Sequence, residues 1–598
     1  MEVKNSLLAH FIHQLKCVKI LKPSPDPKLI DKEGNSNEEI KRKPRGWKCM
    51  PYIIGNETCE KVATFGLTAN LTVYLVDHFN IGQVEATSIT NIFFATTNFA
   101  PLLGAFISDA YWGRFKTLAY GCFASLMGMV AMTLSASAPH LQPPKCRESL
   151  CIGPSKLQLG VLYLSLGLLA TGAGGVRPCS LPFGVDQFDG STEQGQRDLE
   201  SYFNWYYGTT TAAAMLALTV VVYVQDSVSW PLGFGIPTGF MLISIIFFFL
   251  GTRLYIYVQP EGSVFSGVIR VFVASFRKRR LKLPYPDVVE QQEALLYNPF
   301  TTSHHAVKLP LSLQFGFLNK AAIVTNGDLN PDDSPTNRWR LCSVQQIEEV
   351  KCLIRIAPIW FSGIICFMAM AQQFTFTILQ SLKMDRHLGP HFQIPPGSLL
   401  IISLLALTLF IPFYDQIFVP MARRITRVAS GITLLQRQGV GLAISSMSMV
   451  VAGAVEHKRR VSALSHGGIS PMSFLWLAPQ LILMGIAEAF SAVGQIEFYN
   501  RQFPEQMQTL ATSLFFCSLA GANYLSSLLA SIIKKRTRWL DDNINIGRVD
   551  YFYYVIAVMG MVNLLYFLLC SHYYRYKGMR SVEEEDTKEK TNDALLEI

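Results

Sequence analysis

The sequence predicts an all-α integral membrane protein that crosses the bilayer about twelve times in two six-helix halves. Of its 598 residues, 50% are hydrophobic and only 16% are charged. The mean hydropathy of +0.26 is too high for a soluble multidomain protein and typical of a chain held largely in lipid. A polar stretch at 259–346 separates two sets of six apolar runs, while most other connections are short, which indicates two halves.

Twelve apolar runs are long enough to cross about 30 Å of hydrocarbon. They lie near 51–77, 86–110, 117–138, 158–186, 203–224, 232–258, 347–380, 397–421, 433–455, 472–498, 508–533 and 550–574. Several contain Asn, Thr, Gln and Gly, which a helix surrounded only by lipid would not carry. We therefore expect many helix faces to line protein or water.

The predicted domains follow from these runs and from the distribution of charge. We expect an N-terminal arm at 1–50, a first half at 51–258, a linker at 259–346, a second half at 347–575 and a tail at 576–598. With both termini in the cytosol, about 34 Lys and Arg residues face the cytosol and about 13 face outward, as the positive-inside rule requires. The net charge of +9 therefore indicates orientation in a membrane and not nucleic-acid binding. The acidic tail is predicted to be disordered.

The linker begins with an amphipathic pattern. Its apolar residues recur at helical spacing and precede a basic run, at Val264, Phe265, Val268, Val271, Phe272 and Phe276. The pattern predicts a helix lying along the inner membrane surface. The alternative is a short soluble helix packed on the bundle.

Three ionisable residues lie inside the first span. Glu57, Glu60 and Lys61 stand at i, i+3 and i+4 and so share one helical face. Charges at that depth cost a few kcal/mol, so the group indicates a polar cavity where carboxylates could take up and release protons. The alternative is a structural ion pair near the membrane surface.

Two further charges are predicted at a similar depth. Arg177 in the fourth span and Glu488 in the tenth lie roughly 15 Å from the cytosolic surface, and the first-span carboxylates lie roughly 10–15 Å from it. The five charges therefore predict one shared site. Near Arg177, glycines 172, 174 and 175 and prolines 178 and 182 favour close helix packing and a bent helix.

A turn between the second and third spans carries Asp109, Arg114 and Lys116. An acid at one helix end and basic residues past the turn could join two helices in one conformation and release them in another. The alternative is ordinary loop charge.

The cysteines and the search for catalytic motifs add little to the functional prediction. Of twelve cysteines, only Cys146 and Cys151 look like a pair, either as a disulfide or as two thiols in a loop predicted outside. We find no Ser/His/Asp grouping, no HExxH and no metal-ligand spacing, so we expect neither an enzyme nor a metal site.

Eight motifs in order, besides the turn between the second and third spans, resemble one transporter family over about residues 45 to 575. The turn GAFISDAYWGRFKT resembles the signature of the major facilitator superfamily. NETCEK resembles the ExxE(K/R) motif of the proton-dependent oligopeptide transporters, which include the plant nitrate and peptide transporters. GAGGVRPCSLPFGVDQFD and SYFNWYYG resemble that family's fourth- and fifth-helix signatures, and IRIAPIWFSG, FQIPPGSL, PFYDQIFVP, GIAEAF and WLDDNINIGRVDYFYY match further along. The GNET opening resembles the plant subgroup of nitrate and glucosinolate transporters.

The resemblance implies a major facilitator fold that works by alternating access. It implies that Glu57, Glu60 and Lys61 couple protons, that Arg177 is the fourth-helix cation, and that Glu488 is the tenth-helix carboxylate near substrate. The proton is then the coupling ion, and no other cofactor is expected.

Two departures from the family pattern bear on substrate. Thr211 stands where peptide carriers have an asparagine, which puts peptide transport in doubt. Met370 stands where one plant nitrate carrier has a histidine, and a thioether cannot donate a hydrogen bond to nitrate. Four aromatic residues could stack on a larger solute or could instead pack between helices: Tyr74, Trp205, Tyr206 and Trp360.

Thr117 in RFKT falls where a regulated nitrate carrier is phosphorylated, which makes a protein kinase a candidate partner. The other expected partners are protons, a small-molecule substrate and the bilayer. We expect the plasma membrane, with the tonoplast as the alternative, and the sequence does not give the oligomeric state.

The function expected from these observations is proton-coupled import of a small anionic or glycosylated solute. Nitrate, a glucosinolate or other glycoside, and a plant hormone all remain open. The alternatives are a pH-independent facilitator or vacuolar exporter of the same solutes, and a nutrient receptor with little net flux.

Overall fold

The computed structural model describes most of the chain. The described residues are 46–144, 152–188, 193–257, 264–281, 283, 296–299, 311–312, 314–325, 327–331, 334–389, 392–426, 431–503, 508–541 and 543–574. Most of the predicted N-terminal arm, all of the predicted tail and the Cys146–Cys151 pair lie outside these ranges.

Long helices make up almost all of the described structure. They are α1 Met50–Thr68, α2 Gln83–Ile107, α3 Gly113–Ser137, α4 Lys156–Val185, α5 Glu193–Leu216, α6 Trp230–Leu250, α7 Val264–Arg277, α8 Val344–Ser381, α9 Ile401–Phe413, α10 Leu434–Ser465, α11 Ala478–Gln502, α12 Gln508–Arg536 and α13 Val549–Tyr573. A short parallel pair, β1 Met384–Asp385 and β2 Ser470–Ser473, joins the segment after α8 to the segment before α11.

Local sequence signals explain where several helices begin. Ser155 before α4, Ser343 before α8 and Thr433 before α10 each accept a hydrogen bond from the backbone N–H three residues on. The side-chain oxygen of the Gln at that position accepts one from the backbone N–H of the Ser or Thr. These reciprocal bonds satisfy amide groups that a helix start leaves unpaired. Helix α5 begins at Glu193, before the predicted span at 203. Its first turns are polar, so a search for apolar runs does not find them.

The all-α membrane fold is confirmed. Ten helical runs in the described ranges are long and apolar enough to span a bilayer, and one of them, Gln83–Ser137, contains both α2 and α3. Helix α1 is not among the ten, and its 19 residues include Glu57, Glu60 and Lys61. The number of twelve crossings and the cytosolic position of the termini stay predictions.

Each half has its own apolar core. In the first half, residues of α1, α3, α4 and α6 form one cluster, including Leu67, Met129, Leu166 and Phe248. In the second half, α8, α10, α11 and α13 contribute Phe376, Met449, Met484 and Phe552 to another. Val84 of α2 also packs in the second cluster, and a small third cluster joins Val73 of the first half to Ile378 and Leu400 of the second.

Glycines bring α4 against its neighbours, as predicted. A Cβ atom on Gly104 of α2 would lie 1.8 Å from the carbonyl oxygen of Gly174, and one on Gly175 would lie 2.7 Å from the carbonyl oxygen of Thr117 in α3. No side chain fits at either position. This close packing fixes where the polar residues of α4 point.

Contacts between the halves occur toward the predicted outer ends of the helices. Ser398 donates to the carbonyl of Leu218 at 2.7 Å, and the guanidinium of Arg386 lies 3.6 Å from the carboxylate of Asp226. Deeper in, Asn91 of α2 donates to Ser526 of α12 at 3.2 Å. The outer ends of the two halves are thus joined in this conformation.

Candidate functional site: a buried charge cluster on the first helix

The three charges of α1 form one cluster. The ammonium group of Lys61 lies 3.0 Å from Glu57 Oε1 and 2.8 Å from Glu60 Oε2. Glu57 is fully buried and Glu60 is 4% exposed. Removing carboxylates from water costs free energy unless cations and hydrogen-bond donors surround them. One lysine shared by two buried acids therefore does not offset that cost alone.

Hydroxyl groups from three helices complete the shell around these carboxylates. Tyr206 of α5 donates to Glu57 Oε1 at 2.6 Å, and Ser180 of α4 donates to Glu57 Oε2. Thr64 of α1 donates to Glu60 Oε1 at 2.7 Å. The sequence analysis missed Ser180 and Thr64. Thr64 could have been found, because it stands four residues after Glu60 on the same face.

Arg177 lies beside the cluster without joining it. Its guanidinium donates to the backbone oxygen of Thr97 at 3.2 Å and to Asn98 Oδ1 at 3.0 Å, both on α2. Within the described residues no carboxylate lies within 4.0 Å of it. Neutral oxygens hold the side chain in place and leave its positive charge unpaired at short range.

Glu60 and Arg177 face the same small pocket inside the first half. Its walls come from α1 to α4 and consist of Glu60, Thr64, Leu67, Thr68, Phe93, Thr97, Ser125, Met129, Leu169, Ala173 and Arg177. The water-accessible volume is about 20 Å³, which is enough for a water molecule and too little for an organic solute. In this conformation the pocket could hold a water molecule, whereas a solute would need a wider state.

Glu488 stands apart from the other four charges. It lies on α11 of the second half, is partly exposed, and forms no hydrogen bond or ion pair within the described ranges. Four of the five charges predicted at one depth, Glu57, Glu60, Lys61 and Arg177, therefore lie close together, and within the described ranges Glu488 has no contact with them. Depth along a helix does not fix its rotation, so equal depth alone could not predict contact.

The predicted substrate-facing aromatics have different surroundings. Tyr74 is fully buried, packs against Trp230 and Phe234, and shares a hydrogen bond with Ser135 at 3.0 Å. Tyr74 thus lies in a packed aromatic cluster, which fits the packing alternative.

Trp360 is packed between two helices, whereas Trp205 is exposed. The indole of Trp360 donates to the carbonyl of Leu514 at 2.9 Å, which ties α8 to α12. Trp205 is 57% exposed on α5 and is the most exposed aromatic residue of this set.

The two residues that depart from the family pattern differ in burial. Thr211 is exposed on α5, and Met370 is partly buried against the apolar core of the second half. Met370 therefore contributes at least part of its side chain to packing, whereas Thr211 is exposed.

The turn between α2 and α3 is paired with the end of α4, whereas the sequence suggested a link between α2 and α3 themselves. Arg114 pairs with Asp186 at the end of α4 at 2.5 Å, and no hydrogen bond or ion pair links it to Asp109 within the described ranges. Lys116 is exposed. The contact that could open and close here is therefore Arg114–Asp186.

Thr117 is poorly placed for modification in this conformation. Its side chain is 5% exposed, and its hydroxyl donates to the carbonyl of Gly113 at 3.0 Å. A kinase would need the start of α3 to move away from α4 before it could reach the hydroxyl. Phosphorylation at Thr117 stays a prediction.

Comparison with known proteins identifies the family of this chain. The model of the POT family, PTR2, matches residues 115–546. Protein NRT1/PTR FAMILY 2.13 of Arabidopsis thaliana is 52% identical over 94% of this chain and 92% of its own length. Protein NRT1/PTR FAMILY 2.12 of the same plant is 48% identical over 91% and 94%. The chain belongs to the POT family.

Solved POT structures share the fold of this chain. The POT family transporter PepTSo matches with a TM-score of 0.65 at 21% identity, covering 89% of this chain and 99% of that one. An auto-inhibited POT family peptide transporter matches with a TM-score of 0.64 at 21% identity, over 89% and 98%. The protein is a multi-pass membrane transporter of the NRT1/PTR type and not an enzyme.

Proposed function

We propose that this POT family member is a proton-coupled symporter that imports a small anionic or glycosylated solute by alternating access. The observation that carries the proposal is the single Lys61 ammonium shared by two buried carboxylates. Lys61 and Arg177 balance Glu57 and Glu60 when all four are ionised. Protonation of either carboxylate would leave the group with one excess positive charge.

That excess charge gives a physical reason for coupling. A buried positive charge is unfavourable unless an anion neutralises it, so proton and anion would favour each other's binding. Arg177 is held by neutral oxygens and so can attract the anion at close range. Release of the solute would then allow the Lys61 ion pairs to form again and expel the proton.

The substrate class rests on the Arg177 guanidinium in the pocket and on two replaced residues. Thr211 and Met370 argue against a peptide and against nitrate bound by a histidine. Exposed Trp205 can stack on a ring or a sugar face. Nitrate, a glucosinolate or other glycoside, and a plant hormone therefore remain the solutes to test, and a competition panel that also includes dipeptides separates them.

Glu57→Gln and Glu60→Gln test the coupling directly. Tracer uptake is compared at an external pH of about 5.5 and about 7.5, since a glutamine in place of either carboxylate cannot take up the proton. We expect wild-type uptake to rise in acid and both variants to lose that rise. Glu85→Gln, an exposed carboxylate at the start of α2, is the matched control and keeps it.

The other functions give different results in the same assay. Uptake that ignores pH in the wild type, with counterflow exchange intact, supports a facilitator or exporter. Ligand binding without net flux supports a receptor. An acid stimulation that persists in both Gln variants contradicts the assignment of Glu57 and Glu60.

A further inference from the structure

Helix α1 is followed by a short interruption at the place where the first half meets the second. The helix ends at Thr68, and helical backbone resumes at Leu71–Val73. Asn70 lies in the interruption, and its side chain is fully buried. An asparagine just before a helical turn normally accepts a hydrogen bond from that turn, but Asn70 does not. The local backbone therefore leaves its amide unsatisfied.

The amide of Asn70 has no hydrogen-bond partner in the part of the chain that the structure describes. Neither Oδ1 nor Nδ2 is bonded, although both atoms are buried. The other buried amides there with an unpaired oxygen each donate through their nitrogen, as Asn91 does to Ser526 and Asn563 does to the carbonyl of Ser362. Most buried polar atoms in proteins are bonded, so Asn70 raises the free energy of this conformation.

The second half lies directly against this amide. Gly397 belongs to the short turn Pro396–Leu400 before α9. A Cβ atom on Gly397 would lie 2.9 Å from the carbonyl oxygen of Ala69 and 3.1 Å from Asn70 Oδ1. The backbone of the second half therefore covers part of the Asn70 side chain.

The same turn holds the outer ends of the two halves together. Ser398 donates to the carbonyl of Leu218 at 2.7 Å, and Leu400 packs with Val73. Separation of the halves at this end would carry the turn away from Asn70 and admit water to its amide. The amide is thus unpaired when the outer ends are joined and hydrated when they separate.

We propose that Asn70 sets the balance between the two access states by destabilising the state whose outer ends are joined. The inference rests on alternating access in the proposed function and not on the identity of the coupled ion. Both states must be populated for alternating access, and the packed outer contact favours the joined one. A buried polar group without a partner shifts such an equilibrium by about 5- to 150-fold. One residue is therefore sufficient to help return the carrier to its outward-open state.

Two variants of Asn70 change its polarity at nearly constant size. Asn70→Leu has the same number of heavy atoms and no polar group to desolvate, so the joined state is favoured. We expect the equilibrium constant for separation to fall at least about fivefold. Asn70→Asp raises the cost of burial, so we expect the separated state to gain population instead.

Distances between two spin labels measure these populations in the full-length protein. The labels are attached to p-acetylphenylalanine at Val228 and Leu388, which are exposed, and this chemistry leaves the native cysteines unmodified. Each label stands two residues after one member of the outer ion pair Asp226–Arg386. All variants carry Arg386→Gln, which removes that pair and makes both the short and the long distance measurable by pulsed electron resonance in nanodiscs.

Two further variants serve as controls. Asn563→Leu removes a buried amide that contacts only the second half, so the ratio of the two distances stays unchanged. Gly397→Ala adds a methyl group to the outer contact and favours the long distance. The measurement needs neither solute nor a proton gradient, so it does not depend on the coupling roles of Glu57 and Glu60. An Asn70→Leu protein with the same distance distribution as its background, or with more of the long distance, would overturn the proposal.

Discussion

At the residue scale, the fully buried Glu57 carboxylate is the most closely surrounded group of the site. It receives Lys61 from its own helix, Tyr206 from α5 and Ser180 from α4. The last two lie 149 and 123 residues away in sequence. The site therefore forms only when α1, α4 and α5 are packed together, so its integrity also reports on the packing of the first half.

Tyr206→Phe removes one donor and leaves the ring in place. A hydrogen bond to a charged group contributes about 1.5–3 kcal/mol, so we expect the free energy of unfolding to fall by about that amount and the melting temperature to drop. Thermal unfolding in detergent measures the change. Tyr223→Phe, on the exposed continuation of the same helix, serves as control and should melt like the wild type.

An equal melting temperature for Tyr206→Phe and the wild type would mean that the hydroxyl contributes nothing to holding Glu57. It would also remove Tyr206 from the site and leave the lysine as the main partner of that carboxylate.

At the element scale, α4 is held by backbone contact with α2 and α3. Gly104 meets Gly174, and Gly121 meets the backbone of Gly175 and Val176. Only residues without a Cβ atom permit this approach. The approach also sets the position of Ser180 and Arg177, which follow the glycines on the same helix.

Gly104→Ala should push α2 and α4 apart. Its Cβ would lie 1.8 Å from the carbonyl oxygen of Gly174, and forcing extra volume into a packed interior costs about 1–3 kcal/mol. We expect a lower melting temperature together with reduced uptake. Gly167→Ala on α4 has no atom within 4 Å of the added carbon and should be tolerated.

If both glycine variants behaved alike, the backbone contact would not be what positions α4. The altered uptake would then need an explanation outside the packing of α2 on α4.

The elements also show what the sequence could predict and what it could not. Run length and composition were sufficient for the helical membrane fold, and the spacing of Glu57, Glu60 and Lys61 was sufficient for their cluster. The partners of Arg177 and Arg114 depend on helix rotation and on which helices are neighbours. One sequence does not specify either, so Asn98 and Asp186 were missed.

At the scale of the whole molecule, two separately packed halves meet toward their predicted outer ends. Arg386–Asp226 and Ser398–Leu218 join them there. The coupling cluster lies in the first half, and Glu488 lies in the second. Alternating access would require the outer contacts to break, including the packing of Val73 against Ile378 and Leu400, while the rest of each core stays intact.

Proton movement measured together with solute movement tests the central claim most directly. Purified protein is placed in liposomes with a pH-sensitive dye inside, and tracer uptake and internal pH are followed at once for the best solute of the competition panel. The account predicts proton entry only when solute is present, in a constant ratio, and its loss in Glu60→Gln with counterflow exchange retained. Solute accumulation without proton entry in the wild type, or unchanged proton entry in Glu60→Gln, would contradict it.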